Sequence, residues 1–143
     1  MDQTLLKEEN LQSFLGLDID SLHIQSFINE IEVRPSILKL DDRSIYSFYS
    51  FGFDFIVSLS GIITLIYLFP NCSKNHQPYL GYIPYDIKGD DTIHSIKNKL
   101  GKPNMQDYRD GSSDNNWYYW KSKCISIAVR KKHYIHSICL ALE

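Results

Sequence analysis

The chain has 143 residues, a formal charge of −2, 43% apolar and 22% charged residues. That is one domain's worth of chain, long enough to bury a real core, with a composition ordinary for a soluble globular protein. A pI near 6.2 lacks the basic surplus usual in nucleic-acid binders.

Charge is uneven along the chain: residues 1–70 carry −6 and residues 71–143 carry +4. Such a dipolar chain can steer toward an oppositely charged partner, although acids near helix starts and bases on hairpin tips produce the same asymmetry. The N-terminus MDQTLLKEEN has neither a basic nor an apolar targeting region, so a cytoplasmic protein is expected. The cysteines, Cys72, Cys124 and Cys139, are odd in number and widely spaced, which reads as reduced thiols.

Residues 2–15 read as a first helix, with Leu11, Phe14 and Leu15 on one side and Gly16 as its stop. Asp18 or Asp20 offers a cap for a second helix, in which Ile24, Phe27, Ile28 and Ile31 share one face. Pro35 ends that stretch. Asp41-Asp42-Arg43 is a turn leading into three strands, at 44–50, 53–59 and 62–69. The run from Phe55 to Phe69 carries no charge. It is shorter than the roughly 20 residues a membrane helix needs, and Ser58 to Gly61 break it. Two strands and a hairpin are expected there.

Asn71 to Gln77 reads as a linker, and Tyr79 to Ile87 as an extended run. Gly89-Asp90-Asp91-Thr92 then opens a short helix, with Ile93, Ile96 and Leu100 as its apolar side. Gly101 stops it and Pro103 follows. Asn104 to Asn116 is a long polar loop, after which three further strands close the chain.

The last strands repeat the first ones. Ile45–Phe69 written above Trp117–Ala141, without a gap, pairs Tyr46 with Tyr118, Phe48 with Trp120, Phe55 with Ile127 and Leu68 with Leu140. Only six of these 25 pairs are identical, so the shared alternation and the shared upstream helix pattern carry the argument. The expected fold is α+β and two-layered. An antiparallel sheet is built from two pseudo-repeated α-βββ units, with the helices on one face. A single domain spans 1–143: residues 1–70 form the first unit with an extra N-terminal helix, and 79–143 form the second.

The segment from Tyr82 through Ile83-Pro84 and Asp90-Asp91-Thr92 to Leu100-Gly101-Lys102-Pro103, followed by Trp117-Tyr118-Tyr119-Trp120, resembles a bacterial pattern. It runs P-x-G-I, a small loop, Asp, a helix, Leu-Gly-x-Pro, an aromatic strand and two hydrophobic strands. Asp86 stands where that pattern has glycine. The pattern is found in immunity proteins encoded beside polymorphic toxins. It is similar also to one unit of the beta-lactamase-inhibitor-like fold shared with small outer-membrane assembly lipoproteins. The resemblance implies tandem units whose curved sheet clasps a partner protein, and it brings no catalytic residues with it.

No chemistry-bearing set competes strongly. His133, His136 and Cys139 are three apart, and strict alternation would turn His136 away from the other two, so no metal site is expected. Cys72 and His76 lack an evident orienting acid. Asp90-Asp91 reads as helix capping rather than acid–base chemistry, and no phosphate loop is present. The expectation is a protein without enzymatic activity, cofactor or metal.

Alternation does leave aromatics over. If Tyr46, Phe48, Tyr118 and Trp120 face the helices, then Tyr49, Tyr67, Phe69, Trp117 and Tyr119 face the other way. Exposed Tyr and Trp suit protein recognition. The expected partner-binding residues are Trp117, Tyr119, Lys121, Tyr49 and Tyr67, with the Asp41-Asp42 turn. The leading reading is an immunity protein that occludes a cognate protein toxin. A cytoplasmic scaffold module is one alternative. A nucleic-acid-binding sheet is another, since Lys121, Lys123, Arg130, Lys131 and Lys132 lie near Trp117 to Trp120. A homodimer could also cover the aromatic face.

Overall fold

The computed structural model describes residues 4–71, 73–108, 115–130 and 134–143. The fold is α+β. Among the described residues, three α-helices, α1 (Thr4–Glu8), α2 (Leu22–Ile31) and α3 (Ile93–Leu100), accompany one antiparallel sheet. Its strands are β1 (Ser36–Lys39), β2 (Arg43–Phe48), β3 (Phe53–Ser58), β4 (Ile63–Leu68), β5 (Met105–Tyr108), β6 (Asn115–Trp120), β7 (Ile125–Arg130) and β8 (Tyr134–Ala141). Their order across the sheet is β1-β2-β3-β4-β8-β7-β6-β5. The uncharged run from Phe55 to Phe69 forms most of β3, a hairpin and β4. Among the described residues no helix is long and apolar enough to cross a membrane.

Each half therefore has four strands where the sequence pattern indicates three. The additions, β1 and β5, are the two sheet edges. All four β1 residues are exposed, so burial imposes no alternation on them. β5 lies inside the segment read as a polar loop, and its residues 105–107 are exposed. Residues 109–114 of that loop, the basic tip at 131–133, and Cys72 lie outside the described residues.

The helix ends also differ from expectation, for reasons of capping. The single helix expected over 2–15 is divided: Asn10 accepts the N–H of Gln12 through its side chain and starts a separate 3-10 turn at Leu11–Phe14. For α2 the cap is Ser21, whose hydroxyl accepts the N–H of Ile24. Asp18 instead receives the N–H of Asp20. The helix ends at Glu32, in a left-handed conformation with φ 56°, before Pro35 is reached. For α3 the cap is Thr92, accepting from Ser95 N–H at 3.1 Å, and Gly101 ends it at φ 87°. Asp91 does different work: it accepts the Lys88 N–H at 2.8 Å, the Ser95 hydroxyl at 3.2 Å and the Lys99 ammonium at 2.7 Å. Burial alone would raise its carboxyl, but these partners hold it below its ordinary value.

The expected extended run over 79–87 contains a tight 3-10 turn at Pro84–Asp86. Tyr85 and Asp86 both take left-handed backbone angles, φ 64° and 58°. That conformation costs a side-chain-bearing residue about 1–2 kcal/mol, Asp being among those that tolerate it best. Lys99 ties the turn to α3 by donating its ammonium to the Asp86 carbonyl at 2.6 Å.

One core spans both halves. Ile24, Phe27 and Ile31 of α2 and Ile93, Ile96 and Leu100 of α3 belong to the same buried cluster as Phe48, Phe53, Phe55, Ile66, Trp120, Ile127 and Leu140. Register shows how the halves meet. Tyr46 pairs with Phe55 across β2–β3, and Tyr118 pairs with Ile127 across β6–β7. A bulge interrupts β3–β4 between Ile56 and Val57, and another interrupts β7–β8 between Ala128 and Val129. The seam of β4 and β8 pairs Ile66 with Leu140, Tyr67 with Cys139 and Leu68 with Ile138.

The second bulge changes the facing of one residue. Ala128 pairs with Ser137 and Val129 with Ile135, leaving His136 as the extra residue. An extra residue resets the period-2 alternation. His136 thus lies on the same face as Cys139, contrary to the strict-alternation expectation: its ring sits edge-on to Phe69 at 6.0 Å, and Phe69 stacks beside Tyr67, to which the Cys139 side chain is hydrogen-bonded.

Candidate recognition face

Along β6, Tyr118 and Trp120 are buried while Trp117 and Tyr119 are half-buried on the other side. The Trp117 and Tyr119 rings lie nearly parallel, 5.9 Å apart and 8° from coplanar orientation. Neighbouring strands continue this face. Met105, 58% exposed, is opposite Tyr119, and Ser126 flanks Tyr119 from β7. Cys139 follows on β8, then Tyr67, Asp54 and Ser47 on β4, β3 and β2. A row of apposed residues thus crosses most of the sheet.

One end of the row is covered. Of the stretch Asn71 to Gln77, expected to be a linker, Asn71 and Ser73 to Gln77 are described, and they pack over the strands. His76 reaches Asp54 with Nε2···Oδ1 at 2.7 Å, and both residues are only 9% exposed. The imidazole stacks on Phe69 at 4.0 Å and meets Tyr49 edge-on at 4.9 Å. Asn71 donates to the carbonyls of Gly89 and Ile135, while Gln77 N–H donates to Tyr49 O and Tyr79 N–H to Phe69 O. Gly52 makes the close approach possible: at φ +75°, an added Cβ would stand 2.3 Å from Gln77 O. A buried carboxylate without such a partner would cost several kcal/mol, so Asp54 and His76 hold the segment in place together.

His76 therefore has the orienting acid that the sequence reading of Cys72 and His76 lacked. Ser73 adds a hydroxyl, with Oγ 3.4 Å from Nδ1, which brings together the residue types of a hydrolytic triad. That hydroxyl oxygen also accepts the backbone N–H of His76 at 3.0 Å, closing the turn. The arrangement as a whole fastens a loop to the sheet. Among the described residues no group of three or more His, Cys, Asp or Glu side chains could hold a metal; of the trio His133, His136 and Cys139, His133 lies outside them.

Two groups on this face titrate away from their ordinary values. Burial first, then the charges of Arg130 and His76, lower His136. Burial raises the Cys139 thiol, against hydrogen bonds from Tyr67 and Ser126 that lower it. Both shifts favour the neutral form of these two side chains.

The structure brings Trp117, Tyr119 and Tyr67 to one face, with Tyr49 at its covered margin, 40% exposed. It places the others elsewhere. Lys121 is in the exposed turn between β6 and β7, where its N–H meets the Asn104 side chain at 2.8 Å. Asp41 and Asp42 form the β1–β2 hairpin tip, at the far end of β2 from Tyr49. The sequence reading did not single out His76, Asp54 or Met105 for this face. A lone carboxylate inside the apolar run around Phe53 and Phe55 was the available signal, because it demands a partner. No family model matches the chain, and neither a curated protein nor a solved structure matches it.

Proposed function

We propose that this chain is a protein-binding module of the immunity type, which neutralises a cognate toxin by stoichiometric contact through the uncovered half of the sheet face around Trp117 and Tyr119. The observation that carries this reading is the Trp117–Tyr119 pair itself: two large parallel rings, half-exposed, beside an exposed Met105. Aromatic and Met side chains are enriched at protein interfaces, and Trp and Tyr recur as binding hot spots. The covered half, by contrast, has its polar groups paired with one another, which supports a binding rather than a catalytic role.

The same reading takes the chain as one helix-plus-strands unit used twice, with the helices on one face. Support comes from the registers. The pairs Tyr46–Phe55 and Tyr118–Ile127, and the bulges after Ile56 and after Ala128, are each displaced by 72 residues. The seam is symmetric under that displacement, with Tyr67 opposite Cys139.

Co-expression of the tagged chain with the protein encoded by the adjacent upstream gene tests the function. The wild type should retain that protein in a stoichiometric complex. Trp117→Ala and Tyr119→Ala should each weaken retention about tenfold or more while remaining folded, the loss typical of a hot-spot aromatic. Equal retention by the variants would move recognition away from this face. A neighbour that is never retained, and whose toxicity persists, would remove the immunity reading.

A further inference from the structure

β1 stands at the edge of the sheet with every residue exposed. Ile37, Leu38 and Leu40 are 49%, 56% and 40% exposed. Apolar side chains clustered along an open strand edge are what natural sheets generally avoid, unless another strand covers them. The register with β2 and the Leu40 N–H to Arg43 O bond turn the backbone groups of Ser36, Leu38 and Leu40 toward β2. Alternation then turns those of Ile37 and Lys39 outward. Such an edge calls for an extended strand running alongside it.

We infer that this strand is β1 of a second copy of the chain, joined antiparallel about a two-fold axis at Leu38, so that the two sheets become continuous. The choice of partner follows from the residues flanking the edge. A two-fold axis normal to the sheet keeps each face on its own side, so it must pass through a single residue position. Centred on Ile37, it would set Pro35, which has no N–H, against Lys39, and Glu32 against Asp42. Centred on Lys39, it would oppose two ammonium groups. Centred on Leu38, it places Ile37 opposite Lys39 twice, and each such pair can exchange both backbone bonds. That register also brings Leu38 against Leu38 in a non-hydrogen-bonded position, where side chains approach most closely. It sets Arg34 opposite Asp42, both exposed. Pro35 and Lys39, the usual guards of an edge strand, count against the competing registers; in this one Pro35 falls opposite Asp41, which lies in the turn beyond the paired strand residues.

Sedimentation and site-directed cross-linking of the full chain test the inference. The wild type should show a monomer–dimer equilibrium, and Leu38→Asp, which places two carboxylates on the axis, should weaken dimerisation about tenfold or more. Arg34→Glu and Asp42→Arg should each weaken it, and the double substitution should restore it. Leu38→Cys should form an intermolecular disulfide under mild oxidation, whereas Ile37→Cys should not exceed the background set by the native cysteines. Circular dichroism of each variant establishes that it is folded. A wild type that stays monomeric up to its solubility limit overturns the inference. So does a dimer indifferent to Leu38→Asp, or one in which Ile37→Cys cross-links as well as Leu38→Cys. If the chain is monomeric and Leu38→Asp instead abolishes retention of a different protein, the edge takes a foreign strand and self-pairing is wrong. Because Trp117 and Tyr119 lie on β6 across the sheet from β1, failure here leaves the proposed recognition face untouched.

Discussion

His136 owes its position to one extra residue. Without the bulge between Ala128 and Val129, alternation would send its ring elsewhere; with it, the ring is half-buried near Phe69. Burial, and then the positive charges of Arg130 and His76, make protonation harder than in the unfolded chain, where a histidine titrates near pH 6.5. The sign follows from proton counts. As pH falls through the unfolded value the unfolded state takes up the proton first, so stability falls, and it goes on falling until the lower folded value is passed. Urea unfolding should therefore give a lower midpoint at about pH 5.5 than at about pH 7.5, and His136→Asn should flatten that dependence. An unchanged slope in the variant would assign the loss to other groups. Asp91 belongs to a separate window: its lowered carboxyl adds stability above its unfolded value of 3.8, lost as pH falls through its lower folded value.

At the scale of elements, the turn between β2 and β3 and the covering residues 73–77 depend on each other through Gly52. A methyl group there would meet Gln77 O at 2.3 Å and Tyr79 N at 2.5 Å, on a backbone at φ +75°. Neither contact is the far end of a flexible side chain, so the backbone itself must shift. Gly52→Ala should lose about 2–4 kcal/mol, left-handed strain plus displacement of the segment, and should raise proteolysis between Asn71 and Gln77. A variant as stable as the wild type would mean the segment is more weakly attached than its hydrogen bonds indicate. The elements legible in sequence were those with one buried side. Phe53 and Phe55, or Ile125 and Ile127, alternate because a core lies beneath them. β1 and residues 105–107 of β5 have no such asymmetry, since an exposed edge strand leaves no alternating mark. The candidate face was legible as far as Trp117, Tyr119 and Tyr67, for which local alternation suffices. The His76–Asp54 contact was not, because it joins positions 22 apart through a segment with no periodicity of its own.

At the scale of the molecule, the question is whether the halves on either side of the β4–β8 seam unfold separately. Leu68 and Ile138 pair across that seam, both fully buried, in one cluster that also holds residues of α2 and α3. A core shared in this way makes partial unfolding costly, since releasing either half would bare the seam of the other. Both tryptophans, Trp117 and Trp120, belong to the second half, so their fluorescence reports that half alone. Hydrogen exchange at β2 and β3 reports the first. Ile138→Ala removes a fully buried side chain on the second-half side of the seam and should cost about 2–5 kcal/mol. If the sheet is one cooperative unit, the fluorescence midpoint in urea and the protection of β2 and β3 amides should fall by the same free energy. Far-UV circular dichroism should follow the fluorescence curve throughout. Were β2 and β3 to keep their protection while fluorescence shifted alone, the seam would be a boundary between two separately stable halves, and the shared core would be a contact between them rather than a common interior.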